Sequence, residues 1–387
     1  MTGRAADALE SARRELALCT ARSRVRPKAF HVLGGVHQYL DQRHEAERAF
    51  RSGLALRQVS PRQRVRLEAD LASVVFLEGR VAEARSLFEH ALETTRSQGD
   101  DYGEAHLLSQ LAGTYDGSEN DEALRTGEEA LAIFRRIHHR REMAILLTNL
   151  ASIYLETDLA KARAAIDEAL AYHLAHSAPS AEGVTLLHRA AVKESDGDLT
   201  GAEADLRRAA ELLERSASPG VPRVLAALAG TLVATGREPD AERVAERALA
   251  LAPPGTDDGA RIDAMTVLAG VRASQGRRRD AALLLREILR LASCSGIPWA
   301  VASAHLGLAS LSRQAGRLAR ARKHLDFAGA VAGAPRAARN RLIVEHALLA
   351  RACGDDIAPW IARAREALEA NVAISANVRS GLRQLTP

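Results

Sequence analysis

His173 and His176 share one predicted helical face at i,i+3 spacing, and His188 follows on the next helix; no other residues in this chain come nearer to a metal-binding set. No cysteine or carboxylate completes it. Cys19, Cys294 and Cys353 lie far apart without a CxxC pair, so neither a zinc knuckle nor a disulfide framework is expected. His138 and His139 are adjacent, and neighbours on a helix point apart. The phosphate-binding glycine loop, the dinucleotide fingerprint, HExxH, GxSxG and the EF-hand loop are all missing. The sequence therefore reads as non-catalytic, with no cofactor and no metal. What remains is the chemistry of recognition.

Arginine supplies most of that chemistry, since lysine occurs only at 28, 161, 193 and 323. Arg22, Arg24, Arg26 and Lys28 form one basic cluster; Arg57, Arg62, Arg64 and Arg66 a second; Arg135, Arg136, Arg140 and Arg141 a third; Arg336, Arg339 and Arg341 a fourth. An edge of arginines could follow phosphates or an acidic partner. A net charge of only +4, 3% aromatic residues and the interrupting pair Asp257-Asp258 argue against nucleic acid. Elsewhere acids and bases alternate at i,i+3 and i,i+4, as on a solvated helix face. No apolar run reaches bilayer length and the N-terminus lacks a signal-peptide core, so no membrane partner is expected and the location should be cytoplasmic.

Helical hairpins must position these residues. In 71–92 an apolar stripe through Leu71, Ala72 and Val75 breaks at Gly79-Arg80 and resumes through Ala84, Phe88, Ala91 and Leu92. The break recurs at Gly3, Asp41, Gly79, Ser118, Thr157, Gly197, Gly236, Gly276, Gly316 and Gly354, every 38–40 residues. After each comes a small–large–small signature, such as Ala46, Phe50 and Gly53, or Ala321, Leu325 and Ala328. Before it comes a large–small pair: Leu33-Gly34, Leu111-Ala112, Leu150-Ala151, Leu228-Ala229. Neither helix can bury its stripe alone, so successive hairpins must stack.

In these residues the chain resembles the tetratricopeptide repeat family, in the longer-period form of kinesin light chains and of sensor regions in large bacterial transcription activators. The resemblance implies an all-α, right-handed α-solenoid over 1–387, a single superhelix. Its parts would be an N-terminal half repeat (1–27), about nine helix pairs (28–373) and a C-terminal capping helix (374–387). Three departures stand out. The third and fourth repeats have first helices one residue out of step, implying shorter turns; Arg189 takes a leucine position in the fifth; Pro359 starts the second helix of the ninth.

In that family ligands lie in the concave groove lined by first helices. The corresponding positions here are Arg66, Asp70 and Ser73; His106, Ser109 and Gln110; Thr148, Asn149 and Ser152; then His188, Glu194 and Arg223. Asn149 matches the asparagine that holds a peptide backbone or carboxylate in many family members, while later repeats offer a smoother wall. The expected function is a scaffold or adaptor binding a protein or peptide in this groove, in a bacterial cell. A ligand- or peptide-responsive regulatory sensor is the second reading, and a subunit of an enzyme with an unrecognised site the third. The half repeat fits either a stand-alone protein or part of a larger regulator, and the oligomeric state is left open.

Overall fold

A computed structural model describes residues 2–20, 23, 25–40, 42–115, 119–255, 257–331, 334 and 336–369. Among them the regular elements are all helices, in two compact units, Met1–Met143 and Ala144–Pro387, divided within the first turn of α8. The N-terminal unit contains α1 (Thr2–Leu18), α2 (Arg26–Tyr39), α3 (Arg43–Leu54), α4 (Pro61–Leu77), α5 (Val81–Ser97), α6 (Asp101–Ala112) and α7 (Asn120–Arg136). The C-terminal unit begins with α8 (Arg140–Thr157), α9 (Leu159–Ala175), α10 (Pro179–Asp196), α11 (Leu199–Arg215), α12 (Val221–Ala234) and α13 (Glu238–Leu251). It continues through α14 (Asp258–Ser274), α15 (Arg278–Ser295), α16 (Pro298–Gln314), α17 (Leu318–Gly329), α18 (Arg336–Cys353) and α19 (Ala358–Glu369).

Local chemistry sets the helix ends. Gly79, Gly197, Gly236, Gly276, Gly316 and Gly354 all take φ between 71° and 87°, the left-handed conformation that closes a helix and that only glycine adopts without strain. At the next junction Ser60 accepts a hydrogen bond from the Gln63 amide and completes a capping box, with Pro61 opening α4. Asp158 alone separates α8 from α9, its carboxylate accepting from the Ala160 and Lys161 amides, so the fourth turn is short as expected. The third behaves oppositely. Helix α6 stops at Ala112 and α7 starts at Asn120, because Thr114 turns its hydroxyl back to the Leu111 carbonyl and ends the helix early. Tyr115 then lies beyond α6 with the Arg85 guanidinium 4.4 Å above its ring. Asp41, Ser118 and the capping stretch 374–387 fall outside the described residues.

The expected core positions are buried: Ala84, Phe88, Ala91 and Leu92, and their counterparts Ala46 and Phe50, Ala162 and Ile166, Ala321 and Leu325. The small partner is obligatory in the first repeat, where a methyl group on Gly34 would run into the Phe50 ring. In the fifth repeat Arg189 replaces the hydrophobic contact with an ion pair, donating to both oxygens of buried Asp205 at 2.8 and 2.7 Å, while Lys193 reaches the same carboxylate at 2.9 Å. First helices pack on their own second helices, as α2 on α3, α4 on α5, α10 on α11 and α12 on α13, and several also on the next first helix: α2 on α4, and in the C-terminal unit α10 on α12, α12 on α14, α14 on α16 and α16 on α18. First-helix side chains are thereby gathered along one wall of each unit, where a groove must form.

Candidate functional site

In the N-terminal unit, Arg66 and Asp70 of α4 and His106 and Gln110 of α6 line one cavity of about 790 Å³ with His31, Arg62 and Tyr102. Asp70 Oδ2 lies 2.7 Å from His31 Nε2. Ser73 donates to the Ala69 carbonyl at 3.0 Å and to Gln110 Oε1 at 3.2 Å, which directs the Gln110 amide nitrogen to His106 Nε2 at 2.8 Å. The Tyr102 ring lies parallel to that of His106, 6.0 Å between centroids. Partial burial, followed by the charge of Glu142, pushes the Tyr102 phenol up, so it stays a hydrogen-bond donor. Arg62 and Arg66 pair with no described residue. Ser109, expected on this wall, is not among the residues that line the cavity.

The C-terminal unit has its own groove. Thr148, expected to line it, is instead buried, with its hydroxyl 3.0 Å from the Thr185 hydroxyl of α10 and donating to the Ala144 carbonyl. The short turn at Asp158 is the reason: one residue less rotates the face of α8 by about 100°, leaving Asn149 and Ser152 exposed. His188 and Glu194 of α10 are half-buried. Burial drives the His188 imidazole down to about 4, and the charge of Arg223 adds to the effect, so the ring is neutral near pH 7. Burial raises the Glu194 carboxyl despite the hydrogen bond it accepts from Thr231.

Sequence reasoning missed four groove residues. Asp263 of α14 has no hydrogen-bond or ion-pair partner among the described residues, and burial holds its carboxyl at about 6 against the opposing pull of Arg223. Farther on, α12, α14, α16 and α18 enclose a second cavity of about 710 Å³. Gly230 and Gly270 face open space there. At its end Arg313 pairs with Glu345 at 3.2 Å, while Arg341 is unpaired and burial pushes its guanidinium below the usual range. The expected smoother wall is thus smooth only in its middle. Arg223, Asp263 and Arg341 all stand thirteen residues before a turn glycine, so the first of them signalled the other two.

His173 is buried with an unpartnered Nδ1, while the His176 ring is stacked on Tyr172 at 4.0 Å. Among the described residues the ligand atoms of His44, Glu47 and Glu78 do converge. The Arg80 guanidinium already takes both carboxylates, at 2.8 and 2.6 Å. The basic junction clusters are partly neutralised, Arg64 facing Glu68 at 3.7 Å and Arg136 facing Asp101 at 3.0 Å. No helix among the described residues is long and apolar enough to cross a membrane.

Residues 64–135 match the family model described as tetratricopeptide repeat. No curated protein matches the sequence. Among solved structures, the apo quorum sensor NprR from B. thuringiensis superposes with a TM-score of 0.62 at 13% identity, over 83% of this chain and 91% of that one. Rap protein complexed with Competence and Sporulation Factor gives 0.60 at 14% identity, over 89% and 92%. A monomeric mutant of IFIT1 with Gppp-AAAA gives 0.52 at 14% identity, over 98% and 85%. At these identities the likeness is one of fold. The tetratricopeptide-repeat match thus covers residues 64–135, and among the described residues nine stacked helix pairs from α2 to α19 share that all-helical solenoid design.

Proposed function

We infer that this protein is a non-catalytic interaction module whose first-helix grooves take a peptide or an extended protein segment. The observation that carries this reading is the set of ionisable groups left unpaired on the groove walls. Arg62 and Arg66 in the N-terminal unit, and Asp263 and Arg341 in the C-terminal unit, have no partner among the described residues. Arg62 and Arg66 are exposed and open to a ligand, whereas for half-buried Asp263 and Arg341 a charge partly out of water without a hydrogen-bond partner costs stability; a bound segment with its own charges and amides would satisfy all four. The grooves are preformed, so little ordering of the protein accompanies binding. Asn149, His188, Glu194 and Arg223 would orient the segment in the C-terminal unit, as Arg66, Asp70, His106 and Gln110 would in the other.

A second reading, a peptide-responsive regulatory sensor, is supported by the peptide and factor complexes of fold neighbours, NprR with its cognate peptide NprX and Rap with Competence and Sporulation Factor. Selection of a displayed random-peptide pool on the intact protein tests both. Binders should be enriched, and should be lost when Asp70→Ala is combined with Arg66→Ala or Asp263→Asn with Arg341→Met. Failure to enrich any sequence, or enrichment indifferent to all four substitutions, would remove the reading. Scattering profiles with and without an enriched peptide separate sensor from scaffold.

A further inference from the structure

On the second-helix side of the C-terminal unit, α15 and α17 flank a cleft of about 560 Å³ whose floor is the end of α16. Five arginines line it, Arg278, Arg279 and Arg286 from α15 and Arg317 and Arg320 at the start of α17, together with His324, and no carboxylate does. None of the five pairs with a described residue. Several other second-helix arginines of this unit do meet acids: Arg163 with Asp196, Arg207 with Glu203, Arg247 with Glu214, Arg290 with Glu287. The placement also opposes the helix dipoles. Arg278 and Arg279 stand in the first turn of α15, and Arg317 and Arg320 begin an α17 with no acid in its first turn, where the unsatisfied amide groups already present positive charge. His324 registers the field: burial comes first in lowering its pKa, then His305, Arg320, Lys323 and Arg286. The acid in the first turn of α15, Asp280, is taken by Arg277, and local preference violated in this way marks a surface that is completed from outside.

We propose that this cleft docks an acidic amphipathic helix of a partner protein. The floor explains why the partner is protein. Leu308, Leu311, Ala282 and Ala315 line it, and Leu283 stands 61% exposed at its side, so an occupant gains by bringing apolar side chains as well as negative charge. No phenylalanine, tyrosine or tryptophan lines the cleft to stack a base. Its length suits a helix: from Arg279 to Arg286 the rise is about 10 Å, close to two helical turns. Carboxylates at i,i+3 and i,i+4 on either side of a leucine stripe would then reach the arginines of both walls. The cleft shares Arg278 and Leu311 with the lining of the cavity of about 710 Å³, but Arg279, Leu283, Arg286 and Arg320 line the cleft and not that cavity, and the proposal rests on them.

The test uses fluorescence anisotropy of the full chain with three labelled probes: an amphipathic helical peptide of glutamate and leucine, its glutamine–leucine analogue, and a single-stranded oligouridine. The glutamate peptide should bind, and the glutamine analogue should bind at least about tenfold more weakly, a change of 1.4 kcal/mol. Arg279→Glu with Arg320→Glu should lose the acidic peptide by a similar factor while the circular dichroism melt is unchanged. Should that pair disturb the fold, Arg279→Gln with Arg320→Gln carries the same expectation. Leu283→Ala should weaken the acidic peptide too. Equal binding of both peptides, absence of binding, or binding indifferent to Arg279 and Arg320 overturns the proposal. Tight oligouridine binding that depends on the arginines but not on Leu283 overturns it in favour of nucleic acid.

Discussion

Replacing Asp263 by asparagine should stabilise the protein at neutral pH and leave it unchanged in acid. In the fold, burial holds this carboxyl at about 6 instead of its ordinary 3.8, with Arg223 pulling the other way and Asp257 adding to the rise. A carboxyl whose pKa is raised by folding favours the folded state only while protonated. Below pH 4 it is protonated folded and unfolded, and it contributes nothing to the difference. Between pH 4 and 6 the unfolded chain ionises first, so stability falls as pH rises, and above about 6 the full penalty is in place. At 1.36 kcal/mol for each tenfold change in proton affinity, the penalty is at most about 3 kcal/mol. An asparagine of the same shape carries no such penalty. For a folding unit of this size the difference corresponds to a melting temperature higher by about 5–10 °C at pH 7.5, shrinking to nothing near pH 4. Thermal melts of both proteins across that range, followed by circular dichroism, measure it. A variant that melts at or below the parent at pH 7.5, or a difference that persists at pH 4, would refute the unpaired carboxylate. The stabilised variant should also lose groove ligands, the exchange expected where a binding site holds strain.

Other expectations follow from the same geometry. The His188 ring, at about 4 in the fold, should remain neutral when its NMR signals are followed down to pH 5, and the parent should lose stability from about pH 6.5 toward 4 in a way that His188→Gln does not. Arg189→Leu leaves buried Asp205 with Lys193 alone and should lower stability in urea unfolding by about 1–3 kcal/mol. The double replacement Arg189→Leu with Asp205→Leu should recover that loss, because it removes both buried charges. Phe88→Ala, emptying a fully packed site, should lower stability by about 3–5 kcal/mol in the same assay.

Much of the fold was legible because its determinants are local and repeated. A left-handed glycine at the turn and the Gly34–Phe50 fit are each forced by two or three residues, so they print the same spacing into most repeats. The groove was less legible, because which face of a first helix looks inward depends on where that helix ends. Asp158 capping α9 directly turned Thr148 into the core and left Asn149 and Ser152 outside, while Thr114 closed α6 early. Asp263 and Arg341 occupy the same column as Arg223, but their isolation depends on what neighbouring helices fail to supply, which sequence spacing does not report. The arginine cleft is a similar case. Arg279 and Arg320 lie 41 residues apart and meet only because α15 and α17 stand on either side of α16.

The central claim, that the grooves bind a peptide or extended protein segment, is tested most directly by affinity purification from the native cell. The bait should be the intact chain, run beside one carrying Arg66→Ala, Asp70→Ala, Asp263→Asn and Arg341→Met. The account predicts a partner retained by the intact chain, released by its own excised peptide, and lost from the fourfold variant while both baits remain folded. The same partner held equally by both baits would contradict it.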